Sequence, residues 1–247
     1  MEGRARHGVA RIALASALVA VVGVAGIAIY ETSILSPPTA NIGTSSQGSS
    51  SRGSIVVTVI PSVPLIAPGE TQNYTLIEVS SVAGATLNGT LAVRAFAPTG
   101  ISIVLNESSV SLANNPQTIP FRLKADPGTP PGEYKVIVEA SSPRLHALNQ
   151  SFAVDVVPAL VIIQGLAFRP QNITVPEGTS VSWINLDSTV GCCDPGNHNV
   201  VFMSGSNASS PTLKRLDTWS HTFDAPATLG YECTIHPFMK GQITVSG

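Results

Sequence analysis

From Ile55 onward the chain is a succession of short β-branched runs, each closed by a turn signal, and no other pattern in it constrains the fold as much. Ile55–Ile60, Tyr74–Val79 and Thr90–Phe96 are followed by turn-forming stretches such as APG, NG and APTG. Period-two alternation is explicit in Ile119-Pro-Phe121-Arg-Leu123 and in Tyr134-Lys-Val136-Ile-Val138, where every second side chain can enter a core between two sheets. A second series, Leu160–Phe168, Ile173–Val175, Val181–Leu186, Val200–Met203 and Gln242–Val245, is separated by RPQN, PEGT and NLDS, all read as turns. With 21 glycines and 19 prolines in 247 residues, many-turned β structure is favoured over helices. The expected fold class is all-β, with one sandwich over residues 54–158 and a second over 159–247. Each spans about 100 residues, enough for a core of its own.

The N-terminus breaks this rhythm. Arg4, Arg6 and Arg11 precede or open an uncharged apolar run of 19 residues, Ile12–Tyr30. At about 1.5 Å per residue such a run just crosses the hydrocarbon core of a bilayer as a helix. Arginines before it, with none soon after, put the N-terminus in the cytoplasm and the remainder outside. Residues 1–35 are therefore expected to be a transmembrane anchor, giving a single-pass protein of the cell membrane with extracytoplasmic domains. A cleaved signal peptide, which leaves a secreted protein, is the alternative, because the run is alanine-rich with Ala-Xaa-Ala-like stretches. Residues 36–53, rich in Ser, Gly and Pro, are expected to be a flexible tether. Six Asn-Xaa-Ser/Thr sequons, at Asn73, Asn88, Asn106, Asn149, Asn172 and Asn207, accord with export, although a Ser/Thr-rich chain also generates them by chance.

Charged residues make up only 11% of the chain, 13 basic against 15 acidic, so no surface can carry the basic stripe of a nucleic-acid partner. The chemistry is concentrated instead in two stretches, Gly196-Asn-His198-Asn-Val-Val-Phe202 and Tyr231-Glu-Cys233-Thr-Ile-His236-Pro-Phe-Met239-Lys-Gly241. A thiolate, two imidazoles and a thioether form a soft, mixed donor set suited to copper cycling between Cu(I) and Cu(II). Magnesium and calcium want oxygen donors, and zinc more often recruits a second cysteine or a carboxylate in place of methionine. Cys233, His236 and Met239 follow a Cys-x2-His-x2-Met spacing, so one tight loop can wrap a metal, while His198 comes from a separate strand end.

Phe168-Arg-Pro, Ile173-Thr-Val, Gly178-Thr-Ser-Val-Ser-Trp183-Ile-Asn-Leu-Asp187, His198-Asn-Val-Val-Phe and Cys233-Thr-Ile-His236-Pro-Phe-Met239 together resemble the plastocyanin-type cupredoxins. The short ligand loop is most similar to the amicyanin kind. The resemblance implies a Greek-key sandwich holding one type 1 (blue) copper. His198, Cys233 and His236 would form the trigonal plane, and Met239 a long axial bond. It further implies that His198 is buried and that His236, beside Pro237 and Phe238, leaves its far edge near the surface as an electron port. Asn199 would hydrogen-bond backbone near Thr234 and brace the ligand loop. Tyr231 shares a strand face with Cys233 and is expected to pack beneath the site, with Trp183 a core residue. In the first sandwich, ADPGTPPGEYKVIVEAS resembles the penultimate hairpin of immunoglobulin-like domains of exported prokaryotic proteins. That supports a fold and no activity, and residues 54–158 are read as a spacer or docking module.

Gly191-Cys192-Cys193-Asp194-Pro195 departs from the cupredoxin pattern. A vicinal disulfide, an intermolecular bridge, free thiols and an auxiliary metal-capture point all fit two adjacent cysteines. His221 is read as an exposed strand residue and His146, beside Arg144, as a surface residue. The five histidines, at 7, 146, 198, 221 and 236, never form the His-x-His pairs of a multicopper oxidase, and residue 237 is Pro where a binuclear copper loop needs a second cysteine. The expected function is single-electron transfer between redox protein partners at the outer membrane face, with no small-molecule substrate and no catalysis. A copper-delivery or partner-binding module is the alternative.

Overall fold

The computed structural model describes residues 55–81, 90–111, 116–143, 145–188, 196–205 and 208–247. The readings of residues 1–53, Asn88, Asn207, the side chains of Arg144 and His146, and the Cys192-Cys193 pair fall outside the described residues. All described secondary structure is β, and no described helix is long and apolar enough to cross a membrane.

Residues 55–156 form two sheets. The first is ordered β1 (Ile55–Ile60), β3 (Thr71–Ser81), β7 (Gln117–Ala125), β5 (Ile101–Leu105), and every neighbouring pair is antiparallel. The second is ordered β2 (Leu65–Ile66), β9 (Leu145–Val156), β8 (Gly132–Ser142), β4 (Thr90–Phe96), β6 (Ser109–Ser111). The alternation read in the sequence is the alternation of burial: Ile119, Phe121, Leu123 and Ala125 of β7 meet Val136, Val138 and Ala140 of β8 in one core. The ADPGTPPG stretch crosses from one sheet to the other, because β7 and β8 lie in different sheets, and the hairpin is made by β8 with β9. Asn73, Asn106, Asn149 and Asn172 are exposed.

The second unit has its own core and two four-stranded sheets. One is ordered β11 (Phe168–Arg169), β10 (Ala159–Ile163), β13 (Thr179–Asn185), β15 (Thr218–Phe223); the other β12 (Asn172–Pro176), β17 (Lys240–Ser246), β16 (Ala227–Glu232), β14 (Val201–Phe202). The β10–β13 and β12–β17 pairs are parallel, so the chain crosses repeatedly between sheets before closing the sandwich. Two expectations need correction. Leu160–Phe168 is not one strand: Gly165 and Leu166 have φ of 64° and 55°, and their N–H groups point at the Asp187 carboxylate rather than at a neighbouring strand. NLDS does not behave as an exposed turn either, since Asn185, Leu186 and Asp187 are all buried.

Candidate metal centre

The ligand loop is built by its two flanking strands. β16 ends at Glu232 and β17 begins at Lys240, and these two residues are register partners joined by an ion pair of 3.0 Å at the loop's base. Between them the backbone closes in two three-residue steps within one six-residue span. The His236 N–H donates to the Cys233 carbonyl at 3.1 Å, the Met239 N–H to the His236 carbonyl at 2.8 Å, and the Cys233 N–H to the Met239 carbonyl at 3.1 Å. The Cys-x2-His-x2-Met spacing matches the two shorter steps, which place a donor residue at every third position.

His198 approaches from the segment before β14, where, in an isolated bridge, it exchanges both backbone hydrogen bonds with Leu213 at 3.0 and 2.7 Å. Its Nδ1 lies 3.8 Å from Cys233 Sγ and 3.2 Å from His236 Nδ1, and His236 Nδ1 lies 3.7 Å from the same sulfur. All three donor atoms thus fall within 4.8 Å of one another, the convergence that a single ion needs. His198 and Cys233 are fully buried, His236 is half-buried, and Met239, 2% exposed, joins Cys233 in the same core. One thiolate and two imidazole nitrogens in a closed, apolar setting fit type 1 copper.

Surrounding side chains fix this arrangement. The Asn199 amide bridges to the ligand loop twice: its Nδ2 donates to Thr234 Oγ1 at 2.7 Å, and its Oδ1 accepts from the Thr234 N–H at 2.8 Å, as the resemblance implied. The Asn199 backbone N–H points at the Cys233 sulfur at 3.5 Å, a contact suited to a thiolate. Asp187, which sequence reading assigned to a turn, accepts from His198 Nε2 at 3.0 Å and from the N–H groups of Gly165 and Leu166 at 2.6 and 2.9 Å. Since a carboxylate only accepts, the His198 proton stays on Nε2 and the Nδ1 lone pair faces Cys233 and His236. Asn185 completes the support, donating to the Gly196 and Leu213 carbonyls on either side of His198. Neither role is signalled in the sequence, where Asn-Leu-Asp-Ser after a strand has the composition of a turn.

Beneath the loop, Tyr231 is fully buried against Phe168, Trp183 and Phe202, with ring centroids 4.8, 5.7 and 5.5 Å away. Gly241 has no side chain because the Tyr231 ring occupies the place of a Cβ. Burial pushes the Tyr231 phenol up to about 12. Trp183 is a core residue, as expected. His221 is half-buried rather than exposed, because β15 turns it inward between Trp219, on which it stacks at 5.8 Å, and Phe223. Beside His236 in the loop, Phe238 is 67% and Ile235 46% exposed, and the Phe238 ring lies 5.9 Å from the half-buried imidazole.

Comparison with known proteins agrees with this geometry. Residues 157–246 match the family described as copper binding proteins, plastocyanin/azurin family. Amicyanin-alpha of Methylorubrum extorquens is 35% identical over 89 residues, 34% of this chain and 69% of that protein. Plastocyanin of Scenedesmus fuscus is 33% identical over 92 residues, 32% of this chain and 87% of that protein. Among solved structures, a purple cupredoxin from Nitrosopumilus maritimus is 29% identical, covering 36% of this chain and 99% of that one, with a TM-score of 0.31. Through its C-terminal sandwich, the chain belongs to the plastocyanin/azurin family of copper-binding proteins.

Proposed function

We propose that this copper electron-transfer protein is a membrane-tethered carrier that passes single electrons between redox proteins on the extracytoplasmic side. The observation that carries this reading is the pairing of a buried three-donor cluster with one half-buried ligand, His236, in an apolar surface. Copper bound there supplies a one-electron Cu(II)/Cu(I) couple. The chain's own part is to hold the donors still. Asp187 and Asn185 fix His198, Asn199 ties the segment next to it to Thr234, and the closed loop sets Cys233 against His236. Little has to move when the charge at the site changes, which favours fast exchange. Met239, on the same loop and buried, would join His198, Cys233 and His236 in holding the copper, its weak thioether donor tuning the potential rather than anchoring the ion.

His236 is the side chain through which a partner comes nearest to the site. Exposed Phe238 and Ile235 let that partner dock by excluding water, without the fixed pairing that charges impose, and this suits transient encounters. In the proposed layout residues 1–35 anchor the chain, 36–53 form the tether, 54–158 an immunoglobulin-like sandwich, and 159–247 the copper domain. The family's chemistry needs no substrate pocket, and the protein is not an enzyme in this reading.

The test uses the full chain in detergent, loaded with copper. Intense visible absorption and the narrow hyperfine splitting of a blue site are expected, with stopped-flow reduction by a small-molecule donor complete within milliseconds. Exchange slower than seconds, together with ready transfer of copper to an apo-acceptor protein, would favour copper delivery instead.

A further inference from the structure

In a sandwich that stands alone, each sheet keeps one face to solvent. The β10–β13 sheet does so along its β15 edge, where Thr218, Ser220 and Thr222 are exposed, but not over β10 and the end of β13. Its inner face carries Val161, Ile163, Val181 and Trp183 into the copper-domain core, and its outer face carries Leu160, Ile184 and Leu186, which are 3%, 0% and 8% exposed. They share one buried cluster with Leu65 and Ala67 of the amino-terminal sandwich and Val157 at the junction, and Tyr74, Ile162 and Leu216 pack against it. From Ser182 to Asp187 every residue is buried.

The join between the two units is short and itself engaged. β9 ends at Val156 and β10 begins at Ala159. Of the two residues between, Val157 is 6% exposed within the cluster, and its N–H donates to the Ile66 carbonyl at 2.9 Å. Leu65 is held in turn by Tyr74, whose hydroxyl donates to the Leu65 carbonyl at 2.5 Å and accepts from the Leu65 N–H at 2.9 Å. The amino-terminal side of the contact is thus pinned to its own sheet, and on the copper-domain side the Leu186 N–H donates to the Ile163 carbonyl at 2.8 Å.

The position of this contact gives it a consequence at the metal centre. Side chains along β13 and its extension alternate between faces: Ile184 and Leu186 point to the amino-terminal sandwich, while Asn185 and Asp187 point inward to the carbonyls beside His198 and to His198 Nε2. Leu186 lies one peptide from each of the two residues that hold the histidine.

We infer that the amino-terminal sandwich is a brace for the copper site, gripping Leu186 from outside so that Asn185 and Asp187 keep His198 in place. Leu65 and Leu186 are positioning residues in this arrangement. The inference rests on the copper reading above and replaces a spacer role for residues 54–158 with a structural one. Partners that fix copper ligands typically change metal affinity 10–100-fold when removed, and loosening them from one side belongs at about tenfold.

The test compares the full chain with Leu65→Asp and Leu65→Met, all copper-loaded. Small-angle scattering reads whether the two sandwiches remain docked. Loss of the blue absorption in excess EDTA reads copper release, and paramagnetic resonance reads the Cu(II) environment. Leu65→Asp is expected to extend the particle, release copper about tenfold faster and alter the hyperfine splitting, while Leu65→Met behaves as the parent. If Leu65→Asp unfolds the amino-terminal sandwich, the brace is removed all the same and the copper readouts still decide. Undocked sandwiches with unchanged release and spectrum overturn the inference. So does a Leu65→Asp chain that stays docked, because the cluster would then not be what joins the units. A parent chain with no blue absorption would instead sink the copper reading itself.

Discussion

Tyr231→Phe isolates one atom. The Tyr231 hydroxyl is fully buried; Trp183 Nε1 lies beside it, but neither atom makes a hydrogen bond of good geometry among the described residues. A buried, unpaired hydroxyl costs about 1–3 kcal/mol, and phenylalanine fills nearly the same volume, so near neutral pH the variant should be about 1 kcal/mol more stable. The difference should widen in alkali. Burial raises the folded-state pKa of Tyr231 from 10.0 to about 12, so the unfolded chain releases this proton first. The stability Tyr231 contributes as a neutral phenol is therefore intact below about pH 10 and lost as pH rises toward 12. Two pKa units correspond to roughly 3 kcal/mol, which the parent loses across that window and the variant does not. Urea unfolding followed by tryptophan fluorescence measures this directly, because both tryptophans, Trp183 and Trp219, belong to the C-terminal sandwich. A variant less stable than the parent near neutral pH would refute the reasoning. It would mean that the Tyr231 oxygen accepts a bond from Trp183 Nε1, and that removing it strands a buried N–H.

Gly241→Ala places a methyl group where the Tyr231 ring lies, and since the ring is boxed in by Phe168 and Trp183 the strain should cost about 1–3 kcal/mol in the same unfolding assay. Cys233→Ser replaces the thiolate donor and should abolish the blue absorption while leaving the fold intact by circular dichroism. Asp187→Asn keeps the shape but offers one acceptor oxygen to three donors, the His198 ring and the Gly165 and Leu166 amides. It should weaken copper binding about 10–100-fold in chelator competition. Asn199→Ala removes both hydrogen bonds to Thr234 and should increase exchange broadening of the loop amides in the copper-free protein, by nuclear magnetic resonance.

How much of this could be read in the chain depends on whether a residue's role is set by near neighbours or by distant ones. Alternation fixed the buried faces of β7 and β8 because strand burial has a period of two, a property of adjacent residues. The ligand loop was legible for the same reason: Cys233, His236 and Met239 are tied by hydrogen bonds that span three to six residues. Leu160–Phe168 misled because nothing in Gly165-Leu166 announces that their amides will turn toward a carboxylate more than 20 residues away. His221 misled in a related way, since alternation places it on a face but does not say that aromatic neighbours cover that face.

Asp187 and Leu186 show where such reading stops. Taken alone, Asn-Leu-Asp-Ser after a strand has the composition of a turn, and only the fold shows each residue committed in a different direction. An exposed turn would leave His198 oriented by its own backbone pairing with Leu213 and little else. With this segment buried on both sides, the histidine's orientation comes to depend on packing between two sandwiches as well as on the copper domain alone. A metal centre whose performance depends on not moving gains from every such restraint, so an apolar outer face on β13 is a functional feature of this chain as well as a packing one.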